Sequence, residues 1–167
     1  MGLYLVQHGD ALEEAVDPSR PLSPRGRADV EALARACRGK IAVREIIHSG
    51  KLRAEQTAQI LSEALGAPVR AQKGLNPADP PRAFAEALSA DDLCVVGHLP
   101  FLERLAGLLV AGREDQQVVA FQRGGMVCLE QRSPESFCIL WTLFPGQPGA
   151  PWIVAEQPSR PSRRKET

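Results

Sequence analysis

Three short runs rich in apolar residues, each followed by a segment with helical periodicity, constrain the fold of this chain more than any other feature. The runs cover residues 3–6, 45–48 and 93–96, and runs of this length are typical of strands buried on both faces of a sheet. Strands that alternate with helices tend to be parallel, so that their carboxyl ends share one edge of the sheet. The pattern therefore predicts an α/β fold with a mostly parallel central sheet.

Capping and turn residues predict the bounds of the elements. Ser23 and Pro24 suit the N-cap and the first position of a helix that Gly39 ends. Ser49 can cap a second helix that ends at Gly66. The other expected elements are a strand at 69–72, a proline-rich loop at 73–81, helices at 82–88 and 102–109, and C-terminal strands at 118–121, 126–131 and 137–143.

The length and the charge bound the class of protein. The 167 residues suffice for one domain, which we place at residues 1–145, and the Pro/Arg-rich tail at 146–167 is expected to be poorly ordered. The formal net charge is zero, so nothing indicates nucleic acid or an anionic membrane as a partner. No stretch is long enough to span a bilayer and no signal-peptide core follows the start. With four cysteines in apolar segments, we expect a cytoplasmic protein with reduced core thiols rather than disulfides.

Polar residues that follow the predicted strands indicate a site. His8 ends one strand and His98 ends another, while Arg53 lies where a third strand turns into a helix. Imidazole and guanidinium groups beside helix N-termini suit an anion, so this arrangement predicts a phosphate or carboxylate site. The alternative is that His98 packs in the core and Arg53 is a solvated helix charge. Three histidines without a close carboxylate cluster do not match a metal site, and we interpret His48 as a strand-end residue.

Four segments, in order along the chain, carry a resemblance to a known family. They are Gln7-His8-Gly9, the stretch RPLSPRG at 20–26, HSGKLRAEQTA at 48–58 and VVGHLP at 95–100. Together they resemble the motifs of the histidine phosphatase superfamily, and specifically those of its small SixA-type phosphohistidine phosphatases. Two positions depart from the pattern, because Gln7 stands where the first motif has arginine and Gly50 stands where proline is usual.

The resemblance implies a fold and a set of site residues. The fold would be a three-layer αβα sandwich of the phosphoglycerate mutase type, with helices on both faces of the sheet and no lid insertion. His8 would be the catalytic nucleophile, forming a phosphohistidine intermediate. Arg53 and His98 would complete the catalytic set by binding the phosphoryl oxygens, and Gln7 and Arg20 would add phosphate contacts. No cofactor and no metal ion are implied.

The short connection at residues 73–92 bears on the substrate. In larger relatives an insertion here covers the site and carries an acidic proton donor, whereas this chain offers only Asp79 and Glu86 before Asp91. Asp10 is a further candidate donor, which we interpret instead as a loop residue. An uncovered site is accessible to a phosphorylated protein, and imidazole, with a pKa of about 6.5, leaves more readily than an alkoxide. The chain is thus interpreted as a metal-independent phosphohistidine phosphatase acting in signal transduction on a partner such as a histidine phosphotransfer domain.

The replacement of arginine by Gln7 keeps two alternatives open. One is a catalytically weak relative that binds a phosphorylated partner, and the other is a phosphomonoesterase acting on small metabolites. The presence of His8, Arg53 and His98 favours an active enzyme, because a pure binding protein has less need of a nucleophile. Lys51 could supply part of the missing charge. The sequence favours no particular oligomeric state.

Overall fold

The structure, a computed structural model, describes residues 2–146. Its helices and strands are, in chain order, β1 (Gly2–Gln7), α1 (Pro24–Cys37), β2 (Glu45–His48), α2 (Leu52–Leu65), β3 (Val69–Ala71), α3 (Pro81–Glu86), β4 (Leu93–Gly97), α4 (Phe101–Ala111), β5 (Met126–Ser133) and β6 (Ser136–Leu143). The predicted tail at 146–167 lies outside the described residues except for its first residue.

One six-stranded sheet forms the centre of the fold, in the order β3-β2-β4-β1-β5-β6. The first four strands in that order are parallel, whereas β5 pairs antiparallel with both β1 and β6. Each parallel strand is followed by a helix or a long crossover, while β5 and β6 are joined by a two-residue turn that only antiparallel neighbours allow. The prediction of a mostly parallel sheet is confirmed.

Two apolar clusters, one on each face of the sheet, make the fold a three-layer sandwich. Leu3 and Leu5 of β1 belong to the cluster that packs against α3 and α4, and Tyr4 and Val6 belong to the cluster that packs against α1 and α2. This alternation follows from the two-residue period of a strand. Each fully buried aliphatic side chain contributes about 1.5–3 kcal/mol relative to exposure, so a strand buried on both faces anchors both layers.

Helix α1 begins as predicted, and α2 does not. Ser23 caps α1, and its hydroxyl accepts a hydrogen bond of 3.0 Å from the backbone N–H of Gly26. For α2 the N-cap is Lys51, which makes no side-chain cap bond. The expectation that Ser49 caps this helix is therefore wrong. Ser49 lies two residues before the cap, and its hydroxyl contacts His98 instead.

The strand expected at residues 118–121 is absent, since this segment forms a loop. Its apolar side chains Val118, Val119 and Phe121 pack on the cluster that contains α4. The apolar pattern of this segment therefore reflects burial and not strand pairing. Elsewhere the differences are small. The helix expected at 82–88 is Pro81–Glu86, and the strand expected at 69–72 is Val69–Ala71.

All four cysteines are free thiols in the structure, and Cys138 alone among them is not fully buried. Cys128 stands opposite Trp141 across the hairpin, and Cys138 stands opposite Glu130, so the two thiols do not face each other. Within residues 2–146, no helix combines the length and the apolar character needed to cross a membrane.

Candidate active site

The strand register brings His8 and His98 together. Gln7 is paired with Gly97 across the parallel strands β1 and β4, so the two histidines that follow are neighbours at the carboxyl edge of the sheet. Their ring centroids lie 4.9 Å apart with an interplanar angle of 52°. The two side chains that the sequence predicts at one edge are therefore in contact.

The turn that carries His8 is held from several directions. The backbone N–H of His8 donates to the carbonyl of Gly97 at 3.1 Å. The N–H of Gly9 donates to Oγ1 of Thr57 at 3.1 Å, and that hydroxyl donates to the carbonyl of Arg53 at 2.8 Å. Any side chain at position 9 would collide with helix α1, because an added Cβ would lie 2.9 Å from the carbonyl oxygen of Gly26. The turn and the first part of α2 thus form one connected unit.

The contacts of His8 assign its ring nitrogens. Nδ1 lies 2.7 Å from the carbonyl oxygen of Gly9, which can only accept, so Nδ1 carries the proton and Nε2 presents a lone pair. Burial lowers the pKa of His8 to about 4, with smaller contributions from the charges of Arg53, Arg123 and Arg20, against the opposing effect of the Gly9 carbonyl. The imidazole is therefore neutral near pH 7, which is the form that can act as a nucleophile.

His98 is still more deeply buried, with 2% of its surface exposed. Its Nε2 lies 2.6 Å from the hydroxyl oxygen of Ser49, and its Nδ1 has no hydrogen-bond partner among residues 2–146. Burial lowers the pKa of His98 to about 3, followed by the effects of His8 and Arg53. Ser49 is a contact that the sequence analysis missed, because its place before a helix suggested a cap.

Two predicted arginines surround these rings with positive charge. Nε of Arg53 is buried and has no hydrogen-bond partner in the described part of the chain, so a donor remains for an anion. Burial lowers the pKa of Arg53, and the charges of Arg20 and Arg123 lower it further. Arg20 is held by a bond of 3.1 Å from its Nε to the carbonyl of Leu12. The arrangement is suited to a phosphate, whose oxygens accept hydrogen bonds from guanidinium groups.

Gln7 lies at the strand end with 7% of its surface exposed. Its Oε1 is buried and accepts no hydrogen bond from residues 2–146. By strand alternation it belongs to the same face of β1 as Leu3 and Leu5. Whether its amide reaches a phosphate stays a prediction.

Asp10 and Arg123 form an ion pair beside the His8 turn. Nη1 of Arg123 lies 2.7 Å from Oδ1 of Asp10, and the hydroxyl of Ser23 donates to Oδ2 at 2.7 Å. The bond from Ser23, and then Arg123, hold the pKa of Asp10 below its ordinary value. An ionised carboxylate with both oxygens engaged suits a loop residue better than a proton donor.

Arg123 is absent from the sequence-based set of site residues. The sequence marks the following Gly124-Gly125 as a turn, and a turn before a strand gives no sign of what it faces. The pairing of β5 with β1 places Arg123, which lies just before β5, beside the turn that carries His8.

His48 makes a hydrogen bond within its own loop. Its Nδ1 accepts a bond of 3.1 Å from the N–H of Gly50, and burial lowers its pKa. Gly50 has a φ of +88°, which proline, fixed near −65°, does not adopt. The loop conformation therefore accounts for glycine where proline is usual.

Asp79 and Glu86, the two acids expected in the β3–β4 connection, have local contacts or positions in that connection. Oδ2 of Asp79 accepts from the N–H of Asn76 at 2.7 Å, and Asp79 lines a groove of about 420 Å³ between the edge of the sheet and α3. Glu86 ends α3. Between β3 and β4 the chain forms only loops and the six-residue α3, which confirms the prediction that there is no lid insertion.

No group of three or more His, Cys, Asp or Glu side chains within residues 2–146 could hold a metal ion. What the site offers a ligand is instead a pair of neutral imidazoles and several guanidinium groups. This donor set recognises an oxyanion such as phosphate.

Comparison with known proteins agrees with this chemistry. The sequence pattern of the histidine phosphatase superfamily (branch 1) matches residues 3–79. Phosphohistidine phosphatase SixA of Escherichia coli (strain K12) is 32% identical over 121 residues, which cover 66% of this chain and 73% of that protein.

Two solved structures share the fold. The protein histidine phosphatase SixA complexed with tungstate has a TM-score of 0.74 and 24% identity, over 87% of this chain and 97% of that one. A protein described as a phosphohistidine phosphatase SixA from Agrobacterium tumefaciens has a TM-score of 0.71 and 21% identity, over 87% and 98% of the two chains. The phosphoglycerate mutase-like architecture expected from the sequence is confirmed. From its motifs, its fold and its relatives, the chain belongs to the histidine phosphatase superfamily and is a phosphatase similar to the SixA type.

Proposed function

We propose that this phosphatase removes phosphate from a phosphorylated histidine of another protein, through a covalent phosphohistidine on His8. The observation that carries the proposal is the state of His8. Its Nδ1 proton is engaged by the Gly9 carbonyl at 2.7 Å, and its pKa is lowered to about 4. The ring is therefore neutral and oriented, with Nε2 as the nucleophilic atom beside Arg53 and His98.

In the first step, Nε2 of His8 attacks phosphorus. The new P–N bond forms while the bond from phosphorus to the substrate imidazole breaks. A proton from solvent on the other nitrogen of the substrate ring lets that ring leave as neutral imidazole, with the electron pair of the broken bond on the leaving nitrogen. Arg53 binds the phosphoryl oxygens through its planar fork of donors. His98 lies next to the attacking ring, with centroids 4.9 Å apart, and stabilises the charge that develops on the same oxygens.

In the second step, a water molecule attacks the phosphorus of the phosphorylated His8. The P–N bond breaks, its electron pair returns to Nε2, and both hydrogens of the water leave with the phosphate. The Gly9 carbonyl keeps the Nδ1 proton in place through both steps, so the ring returns to its starting tautomer. Two easier displacements replace one difficult hydrolysis.

Two observations support a phosphorylated protein as the substrate. The β3–β4 connection contains only a six-residue helix, so a protein side chain can approach the site. The relative from Escherichia coli bears the name phosphohistidine phosphatase. An imidazole leaving group, with a pKa of about 6.5, also reduces the need for an acid that protonates the leaving atom. Asp10, ionised and paired with Arg123, is not required for this chemistry.

A substrate panel tests the proposal. Phosphate release is measured from a histidine phosphotransfer domain phosphorylated on histidine, and from phosphoserine and sugar phosphates under the same conditions. We expect kcat/KM for the phosphoprotein to exceed that for the metabolites by at least about tenfold, and His8→Asn to release no phosphate. Preference for a metabolite would instead identify a phosphomonoesterase. Binding of the phosphoprotein without phosphate release would identify a catalytically weak binding protein.

A further inference from the structure

We propose that Arg123 is a phosphate-binding residue of this site and supplies the guanidinium charge that Gln7 does not. The inference rests on the proposed function, because it assigns a phosphoryl group to the space beside His8. It concerns a residue outside the four motifs that identify the family. Three observations carry it: the place of Arg123 in the fold, its charge and its free donors.

The turn that carries Arg123 is bonded directly to the turn that carries His8. The N–H of Gly124 donates to the carbonyls of Gln7, at 3.0 Å, and His8, at 3.1 Å. The N–H of Gln7 donates in return to the carbonyl of Gly125 at 3.2 Å. Gly124 has a φ of +73°, a conformation that favours glycine, and this fixes the turn. The backbone of Arg123 is therefore held at a constant distance from the nucleophile.

The charge of Arg123 acts on the nucleophile. After burial and Arg53, it lowers the pKa of His8, and after burial and Arg20 it lowers the pKa of Arg53. The charge of Lys51 lowers the pKa of His98, after burial, His8 and Arg53. Arg123 therefore lies within electrostatic range of both the attacking ring and the phosphate-binding arginine.

The guanidinium of Arg123 is oriented by one hydrogen bond and keeps other donors free. Its Nη1 donates to Asp10 at 2.7 Å, and within residues 2–146 the structure gives its Nε and Nη2 no partner. The side chain is 56% exposed, so a phosphoryl group arriving from solvent can reach those donors. An arginine held by one carboxylate retains enough donors for bidentate contact with phosphate.

Gln7 leaves the site without the positive charge that arginine supplies at this position of the family motif. Its side chain is neutral, and its buried Oε1 is itself an acceptor without a partner in the described part of the chain. An oxygen acceptor repels phosphoryl oxygens, so the amide contributes at most through its NH₂ group. Arg123 approaches the same turn from the loop that precedes β5, whereas Gln7 lies at the end of β1.

The test compares Arg123→Gln and Arg123→Lys with Arg113→Gln. Arg113 is a matched control, since it is an exposed arginine paired with a nearby acid, Asp115, at 2.9 Å. Binding of inorganic phosphate and of tungstate is measured by calorimetry, and kcat/KM is measured on an aryl phosphate. Arg123→Gln is expected to weaken phosphate binding about tenfold, Arg123→Lys to weaken it less, and Arg113→Gln to leave it unchanged. Adding Gln7→Arg to Arg123→Gln is expected to restore binding, which a purely structural role of Arg123 would not produce.

The outcomes separate this inference from the proposed function. If Arg123→Gln binds phosphate as wild type does, Arg123 is not a phosphate-binding residue, whatever the enzyme hydrolyses. If phosphate binding depends on Arg123 while no phosphoprotein is hydrolysed, the inference stands and the proposed function does not. If wild type binds neither anion, the inference is overturned, while phosphate release from the phosphoprotein still decides the proposed function.

Discussion

The rings of His8 and His98 lie with their centroids 4.9 Å apart, immediately beyond the point where Gln7 pairs with Gly97. A shift of one residue in this register would place one ring beside a backbone segment and remove the contact. Because burial lowers the pKa of both rings, to about 4 and about 3, two imidazoles can share this space without mutual repulsion. Both rings are therefore neutral near pH 7, and neither has to lose a proton before its lone pair can be used.

His8→Asn is expected to abolish turnover, because the amide cannot form a phosphoryl intermediate. Wild type mixed with substrate and stopped in alkali is expected to carry a phosphoryl group that is stable in base and labile in acid, and the variant none. Phosphate incorporation is followed on the denatured protein. Residual turnover within about tenfold of wild type, which is only about 1.4 kcal/mol in the barrier, would show that His8 is not the nucleophile.

The two histidines are also expected to make stability depend on pH. Both native pKa values lie below the unfolded value of about 6.5, so between about pH 6.5 and 4 the unfolded chain binds more protons than the native one. Stability is therefore lost as the pH falls through this window, by up to about 1.4 kcal/mol per pH unit for each histidine. Urea unfolding between pH 6.5 and 5.0 measures the slope.

His8→Asn and His98→Asn serve as the comparison in that experiment. Each variant removes one titrating ring, so the free energy of unfolding should fall less steeply with decreasing pH than in wild type. His48, whose pKa burial also lowers, is present in all three proteins and its effect cancels. Equal slopes in wild type and both variants would mean that these rings titrate normally in the folded protein.

Activity is expected to survive exhaustive treatment with EDTA. In the proposed mechanism Arg53 and Arg20 supply the positive charge and, together with the neutral imidazole of His98, the hydrogen-bond donors that other phosphatases obtain from metal ions. Phosphate release is compared before and after chelation and gel filtration. Loss of activity that magnesium or zinc restores would show that a metal ion takes part in the reaction.

The parts of the fold that the sequence predicted are those determined locally. The apolar run at residues 3–6 and the Ser23-Pro24 cap specify β1 and the start of α1 from a few adjacent residues. The strand predicted at residues 118–121 is wrong because that prediction also used only local pattern, and the same apolar run fits a loop packed against α4. Local pattern alone does not distinguish strand pairing from simple burial.

Some residues of the candidate site could also be predicted from the sequence, and others could not. His8, Arg53 and His98 could be placed together because parallel strands bring their carboxyl ends to one edge. Arg123 could not, because it reaches Asp10 across more than a hundred residues through the pairing of β5 with β1. The contact of Ser49 with His98 likewise depends on the adjacency of β2 and β4. Contacts set by strand order are not readable from one segment at a time.

Thr57→Val is expected to weaken both stability and activity. The hydroxyl of Thr57 accepts a hydrogen bond from the N–H of Gly9 at 3.1 Å and donates to the carbonyl of Arg53 at 2.8 Å, so it ties the turn that carries His8 to α2. Valine has a similar shape but leaves the buried N–H of Gly9 unsatisfied, which costs about 1–3 kcal/mol. Denaturant unfolding measures the loss, and kcat is expected to fall as His8 shifts. Thr57→Ser keeps the hydroxyl but loses a fully buried methyl group, so its kcat should stay close to wild type and its stability should fall less than that of the valine variant. A valine variant as stable as wild type would show that this hydroxyl does not hold the turn to α2.

The last prediction concerns Gln7→Arg. A neutral hydrogen bond contributes about 0.5–1.5 kcal/mol and a charged one about 1.5–3. The deficit of glutamine relative to arginine is then roughly 1–2 kcal/mol, or about a ten- to thirtyfold loss in rate when it is felt in the transition state. Gln7→Arg should therefore raise kcat/KM on an aryl phosphate and strengthen inhibition by inorganic phosphate. Lys51→Ala should lower activity more than loss of an ordinary surface lysine, since Lys51 acts on His98, and Gln7→Arg should partly rescue it. Unchanged activity in both single variants, with unfolding showing that both are folded, would place the Gln7 side chain away from the phosphoryl group and leave Arg123 without a deficit to compensate.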